Sequence, residues 1–162
     1  MLDSTDAVFK PNNQGSVVKP YILSHGTLEC RSLKESRRFY EEFLGLECVR
    51  HAQQAMHARC GIKFSIVCVE VGDEVRPMNV LNHWGLEVDS RDKVDTAYAA
   101  AVAMKDKYQI GNITKPGNRH GIYSFYLSDL DGNYWEIEYY DGSVHEDAFD
   151  FGDRFAMDGT PV

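Results

Sequence analysis

The chain is predicted to fold as an α+β domain of two βαβββ repeats, and three observations carry that prediction. His25-Gly-Thr-Leu-Glu-Cys30 is echoed by His83-Trp-Gly-Leu-Glu-Val88, an offset of 58 positions (83 − 25). A tyrosine stands 15 positions after each histidine, Tyr40 and Tyr98, at the end of a helical pattern opened by Ser32 or Ser90. Each helical pattern then gives way to three runs with strand-type alternation. Self-similarity at a fixed period marks a duplicated unit. Two such units lay their strands into one cupped, mixed sheet with the helices on its convex side.

Residues 1–19 carry Pro, Asn, Gln, Gly and Ser without periodicity and read as a flexible N-terminal arm. The domain itself is expected over 20–142, with repeat one at 20–75 and repeat two at 78–142. Tyr21 to Cys30 alternates as a strand, with Leu23, His25, Thr27 and Glu29 on one face. Ser32 followed by Glu35 has the form of a capping box. Leu33, Ser36, Tyr40 and Phe43 follow at helical spacing, and Gly45 stops the helix. Strand-type runs come next at Leu46–His51, His57–Phe64 and Ser65–Gly72, before a loop over Asp73–Pro77. In repeat two, Val94, Ala97, Tyr98, Ala101 and Tyr108 form the inward stripe of the helix. Strands are expected at Ile110–Lys115, Ile122–Ser128 and Asn133–Tyr140, the last two joined by a turn at Asp131-Gly132-Asn133. The stretch 143–162 is acidic and aromatic (Asp147, Phe149, Asp150, Phe151, Asp153, Phe155). It reads as a cover or a partner contact.

Composition bounds the function. At 162 residues and 43% hydrophobic, the chain is long enough for one real core. A net charge of −8 and a pI near 5.2 leave no basic stripe to neutralise phosphates, which excludes nucleic acid as the partner. No apolar run approaches the roughly 20 residues of a membrane span, and the N-terminus lacks signal-peptide features. A cytoplasmic protein is expected. Cys30, Cys48, Cys60 and Cys68 form no CxxC pair and sit in strand-like surroundings, so reduced, buried thiols are expected.

The chemistry concentrates on the closing hairpin. Alternation over Ile122–Ser128 sets Ser124 and Tyr126 on one face. Past the turn, Glu136 and Glu138 share a face with Tyr134, opposite Trp135, Ile137 and Tyr139. Two carboxylates on an aromatic strand need a partner, because unpaired buried charge is costly. The duplication puts His25 and His83 at equivalent points, on the same side as Glu136. Two imidazoles and one carboxylate form the facial triad that holds Fe(II) and leaves positions open; the same ligands take Mn, Ni or Zn. Taken singly, each histidine is more often a hydrogen-bonded core residue, and Glu136 a solvated one. It is the repeat that ties them together.

These motifs resemble the vicinal oxygen chelate superfamily, which includes glyoxalase I, extradiol ring-cleaving dioxygenases, fosfomycin resistance enzymes and bleomycin-binding proteins. The resemblance covers roughly 20–142. It rests on His25-Gly-Thr-Leu-Glu, on Phe39-Tyr40…Phe43-Leu-Gly-Leu46, on Asn82-His83-Trp-Gly-Leu and on Asp129-Leu-Asp-Gly-Asn-Tyr-Trp-Glu136. It implies the cupped sheet and a metal at His25, His83 and Glu136. Glyoxalase-like members add a fourth ligand from the last strand of the first repeat, where Glu70 is the only carboxylate. Extradiol dioxygenases use three ligands and a tyrosine ten positions before the glutamate, as Tyr126 stands to Glu136. A histidine upstream of that tyrosine is also usual; His120 is the candidate, three positions closer than in those enzymes. By resemblance, the expected function is an extradiol-type dioxygenase that binds a catecholic aromatic diol through vicinal oxygens. Dioxygen is its co-substrate, Tyr126 and His120 are its catalytic residues, and a homodimer is its assembly. The alternatives are a glyoxalase-like lyase or isomerase at the same metal site and a metal-free binding protein of the bleomycin-resistance type.

Overall fold

The computed structural model describes residues 14–61, 63–119 and 121–140, together with 153, 155, 156 and 158–161. The chain divides into two compact units, Ile22–Tyr139 and a second made of the residues up to Tyr21 and from Tyr140 on. In the second unit Lys19 donates to the Gln14 carbonyl and Phe155 bridges to Pro161. Asp147, Phe149, Asp150 and Phe151 of the expected tail lie outside the described residues, as do residues 1–13 of the expected arm.

The elements run β1 (His25–Cys30), α1 (Leu33–Glu42), β2 (Glu47–Ala52), β3 (Ala55–Arg59), β4 (Ser65–Glu70), a 3₁₀ turn (Gly72–Glu74), β5 (Trp84–Glu87), α2 (Arg91–Ala103), α3 (Lys105–Tyr108), β6 (Gly117–Arg119), β7 (Ile122–Ser128) and β8 (Tyr134–Tyr140). Each repeat forms a four-stranded mixed sheet, in the orders β1-β4-β3-β2 and β5-β8-β7-β6. The two sheets match strand for strand. In each, the first strand pairs in parallel with the last, His25 opposite Ser65 and Trp84 opposite Trp135. Helix α1 packs on β2, β3 and β4, and α2 packs on β7. The duplicated α+β class therefore holds, with the strands hydrogen-bonded as two sheets.

One core serves both repeats, with Leu28, Phe39, Tyr40, Met56 and Cys68 clustering with Val94, Phe125, Leu127 and Trp135. Tyr40 meets Trp135 edge-on at 5.3 Å between ring centroids, an arrangement that adds to the burial of both rings. The hairpin turn clasps the repeats together. Asp129, which is buried, accepts from the Tyr40 hydroxyl (3.0 Å), Trp135 Nε1 (3.3 Å) and the backbone N–H groups of Asp131 and Asn133 (2.9 Å each). Burial pushes its carboxyl above the ordinary aspartate range, while the Asn133 and Asp131 donors pull it back. Asp131 takes Ser36 Oγ at 2.8 Å and the Arg31 N–H at 2.9 Å. Gly132, at φ +84°, closes the turn in a conformation that side chains disfavour.

Five expectations need correction, the first being the run His57–Phe64, since β3 covers Ala55–Arg59. Ser32 is the N-cap residue of α1, yet its side chain makes no cap bond. The Leu33 N–H donates to Glu70 Oε2 at 2.7 Å instead. Glu70 sits beside Cys30 in the β1–β4 register, so its carboxylate reaches the helix start from the neighbouring strand. Ile110–Lys115 is not a strand and holds only an Ile113–Leu127 bridge. The segment still runs beside β7, with the Gly111 N–H on the Ser128 carbonyl, the Ser128 N–H on the Asn112 carbonyl and the Thr114 N–H on the Tyr126 carbonyl, while Ser128 Oγ and Thr114 Oγ1 accept from the Asn112 and Tyr126 N–H groups. The edge strand β6 begins later, at Gly117. The first strand starts at His25 rather than Tyr21. Of the cysteines, three are buried but Cys60 is exposed, because it follows β3 and leads into the Gly61 turn at φ +90°. Among the described residues, no helix is long and apolar enough to cross a membrane.

Candidate metal centre

Strands β5 and β8 lie side by side with Gly85 opposite Glu136. That register carries His83, one residue ahead of β5, to Glu136: His83 Nε2 stands 3.0 Å from Glu136 Oε2. The other ring nitrogen, Nδ1, is 2.6 Å from the Val80 carbonyl. A carbonyl only accepts, so Nδ1 carries a proton and Nε2 is the nitrogen that faces the carboxylate. A lone pair and a carboxylate oxygen at this distance need a cation between them, either a second ring proton or a metal ion. A backbone carbonyl on the distal nitrogen is the usual way a protein orients a metal-binding imidazole. The pair therefore fits a divalent metal by its chemistry.

Tyr126 of β7 stands beside the pair. Its ring lies edge-on to His83, with centroids 5.0 Å apart at 74°, and its hydroxyl is hydrogen-bonded with Glu136. Burial first, then the Glu136 carboxylate, pushes the phenol up to about 12. The Arg119 guanidinium covers the Tyr126 ring at 5.6 Å and donates to the Ser124 carbonyl at 3.3 Å. Glu138, buried beside Glu136, lies over β5 where residue 85 is glycine. A Cβ at Gly85 would fall 2.9 Å from Glu138 Oε1.

His25 has different company. It is the exposed first residue of β1, and its Nδ1 shares a hydrogen bond with Ser24 Oγ at 2.9 Å. It belongs electrostatically to a second group. His57 is held below the ordinary histidine range by burial, then by His51 and His25. The His51 and His57 rings are 4.1 Å apart, and His57 Nδ1 shares Ser65 Oγ at 2.9 Å. Among the described residues, no group of three or more His, Cys, Asp and Glu side chains is arranged to hold a metal. Thus His83, Glu136 and Tyr126 come together, while His25 stands with His57. His120 lies outside the described residues. Glu70 is turned to α1, on the face it shares with buried Cys68; Ser65, Val67 and Val69 occupy the other face of β4. The Val80 carbonyl carries no local sequence signal for its role.

A family model, the Glyoxalase/Bleomycin resistance protein/Dioxygenase superfamily, matches residues 22–137. No curated protein sequence matches the chain. Among solved structures, the genomically encoded fosfomycin resistance protein FosX from Listeria monocytogenes is similar with a TM-score of 0.61 and 21% identity, over 79% of this chain and 98% of that one. The lactoylglutathione lyase from Agrobacterium tumefaciens is similar with a TM-score of 0.55 and 20% identity, over 74% and 94%. A glyoxalase/bleomycin resistance protein/dioxygenase from Alicyclobacillus acidocaldarius gives 0.55 and 20%, over 76% and 95%. At these identities the likeness shows the fold.

Proposed function

Because the chain belongs to the glyoxalase/bleomycin resistance protein/dioxygenase superfamily, we propose that His25, His83 and Glu136 hold one divalent ion and that the protein cleaves catecholic rings as an extradiol-type dioxygenase. The observation that carries this reading is His83 Nε2, aimed at Glu136 from 3.0 Å with Nδ1 tied to a carbonyl. Two imidazoles and a carboxylate suit Fe(II) with open positions, and Mn, Ni and Zn accept the same set. The use of Glu70 as a helix cap supports three ligands over a glyoxalase-like four. His25 leaves the exposed end of β1 in the other sheet, so we place the complete triad between two copies of the chain in a homodimer.

When bound, the metal supplies a chelating centre for the two adjacent oxygens of the diol and a place for dioxygen. The protein does the rest. Tyr126, with its phenol near 12, stays protonated at neutral pH and can turn its hydrogen bond from Glu136 to a substrate oxygen. Its edge-on contact with His83 holds that hydroxyl beside the ligand pair. Arg119, stacked on Tyr126, favours the anionic form of a bound diol. His120, next in the chain, is assigned the proton shuttle.

Anaerobic reconstitution with Fe(II) tests the assignment. The expected result is one iron per His83–Glu136 pair, three protein ligands by X-ray absorption, and oxygen uptake with catechol. Four protein ligands and no oxygen uptake with any catechol would sink the dioxygenase and favour a lyase or isomerase.

A further inference from the structure

His57 faces the same side of the first sheet as His25. In β3 it alternates with buried Met56 and Ala58, so its ring points away from the core. Ser65 of β4 alternates in the same way with buried Ile66 and Cys68, and His25 of β1 lies opposite in parity to buried Leu28 and Cys30. Ser65 stands opposite His25 in the β1–β4 register and shares a hydrogen bond with His57 Nδ1 at 2.9 Å. His25, Ser65 and His57 thus form one row across three neighbouring strands. The His51 ring backs His57 from 4.1 Å. A serine hydroxyl can accept from Nδ1 or donate to it. Ser65 therefore suits either tautomer and leaves Nε2 as the nitrogen that can meet a ligand. On the same face lies a cavity of about 350 Å³, with Val49, His57, Phe64 and Ser65 in its wall.

We propose that His57 contacts the substrate in trans, its Nε2 hydrogen-bonded to an oxygen of the diol that is held at the His83 and Glu136 of a second copy. The inference rests on the division of the metal centre between two chains. Whatever brings His25 to that centre carries the whole row with it, because hydrogen-bonded strands fix His57 relative to His25. Two strand spacings, about 10 Å, separate their backbones, a span that a metal ion and one diol oxygen can fill. The cavity beyond His57 then takes the substituents of the ring, and its volume lies at the lower end of the range for small-molecule pockets.

The full chain, loaded with Fe(II), is titrated anaerobically with 4-nitrocatechol, a coloured diol whose spectrum changes on chelation. His57→Phe keeps a ring on the face and removes both nitrogens. His57→Gln keeps a hydrogen-bonding group near the place of Nε2. Iron content should be unchanged in both. His57→Phe should bind 4-nitrocatechol at least about 10-fold more weakly, the worth of one hydrogen bond to a charged group. His57→Gln should recover most of that loss, which a merely structural residue would not allow. A heterodimer of His57→Phe with Glu136→Ala reads the location: both lesions fall in one site, so the other should bind with wild-type affinity. A demonstrated heterodimer without such a site overturns the proposal, and so does loss of iron in both single variants. Equal affinity of wild type and His57→Phe overturns it while leaving the metal centre standing. A wild-type chain that takes up no iron, or no 4-nitrocatechol, overturns both.

Discussion

The Glu70 carboxylate accepts the Leu33 N–H at 2.7 Å, and this one bond decides how the first repeat uses its last strand. The carboxylate that a four-ligand centre would need instead caps α1, where it satisfies an orphan donor and meets the positive end of the helix. Glu70→Ala should therefore cost about 1 kcal/mol of stability, the worth of a cap, and leave metal content unchanged. Urea midpoints and metal analysis on the same samples check both halves. Loss of metal in the variant would restore Glu70 as a ligand.

Division of the triad between two copies predicts complementation. His25→Ala and Glu136→Ala should each lose metal affinity by more than about 100-fold, since even the partners behind a ligand are worth 10–100-fold. Mixed and reassociated, the two variants should regain one intact site per heterodimer, because both lesions fall in the same site and leave the other whole. Metal titration of the mixture against each parent reads the outcome. No recovery in a demonstrated heterodimer would place all three ligands within one chain.

Tyr126→Phe keeps the ring against His83 and removes only the hydroxyl hydrogen-bonded with Glu136. Metal should be retained and turnover should fall by roughly 10²–10⁴-fold, the range for a lost proton donor. The direction of its shift gives a second check. The phenol is raised to about 12, so it is neutral throughout the working range. An alkaline limb below about pH 10 must belong to another group and should persist in the variant. Disappearance of that limb in Tyr126→Phe would contradict the assignment.

Much of this was legible in the sequence because it is local. Alternation located β7 and β8, and self-similarity paired His25 with His83 as equivalent residues. Parity along β4 already set Glu70 on the side of Cys68. What escaped depends on distant partners. Asp129 and Asp131 read as turn formers, yet they bond Tyr40 and Ser36, 89 and 95 positions away. That His83 reaches Glu136 depends on the β5–β8 register, which no periodicity encodes. The segment before β6 keeps backbone bonds to β7 yet gives the Asn112 and Tyr126 N–H groups to the Ser128 and Thr114 hydroxyls, 16 and 12 positions away.

That turn makes its own prediction. Asp129→Ala would strand the Tyr40 hydroxyl, the Trp135 N–H and two backbone N–H groups in the core. Breaking such a buried network costs about 3–5 kcal/mol. Equilibrium unfolding should show a loss of that size, and Asp129→Asn, which keeps one acceptor, a smaller one. Equal, small losses in both would mean that the repeats are held by packing alone.

Cys48 couples stability to alkaline pH. Burial, and then the nearby Glu41 carboxylate, raise its thiol from 9.0 to about 11. A raised pKa means that the fold prefers the neutral thiol. The stabilisation is complete below about pH 9 and drains away as pH rises through 11. Two units correspond to at most about 3 kcal/mol. Urea unfolding across that window should show the loss in the wild-type chain and a flatter profile in Cys48→Ala, whose smaller side chain lowers stability at every pH equally. In the folded protein below that window, Ellman's reagent should modify Cys60 rapidly and spare Cys30, Cys48 and Cys68, because only the first is exposed. Fast reaction of a second thiol would show that the first sheet opens more readily than its packing implies.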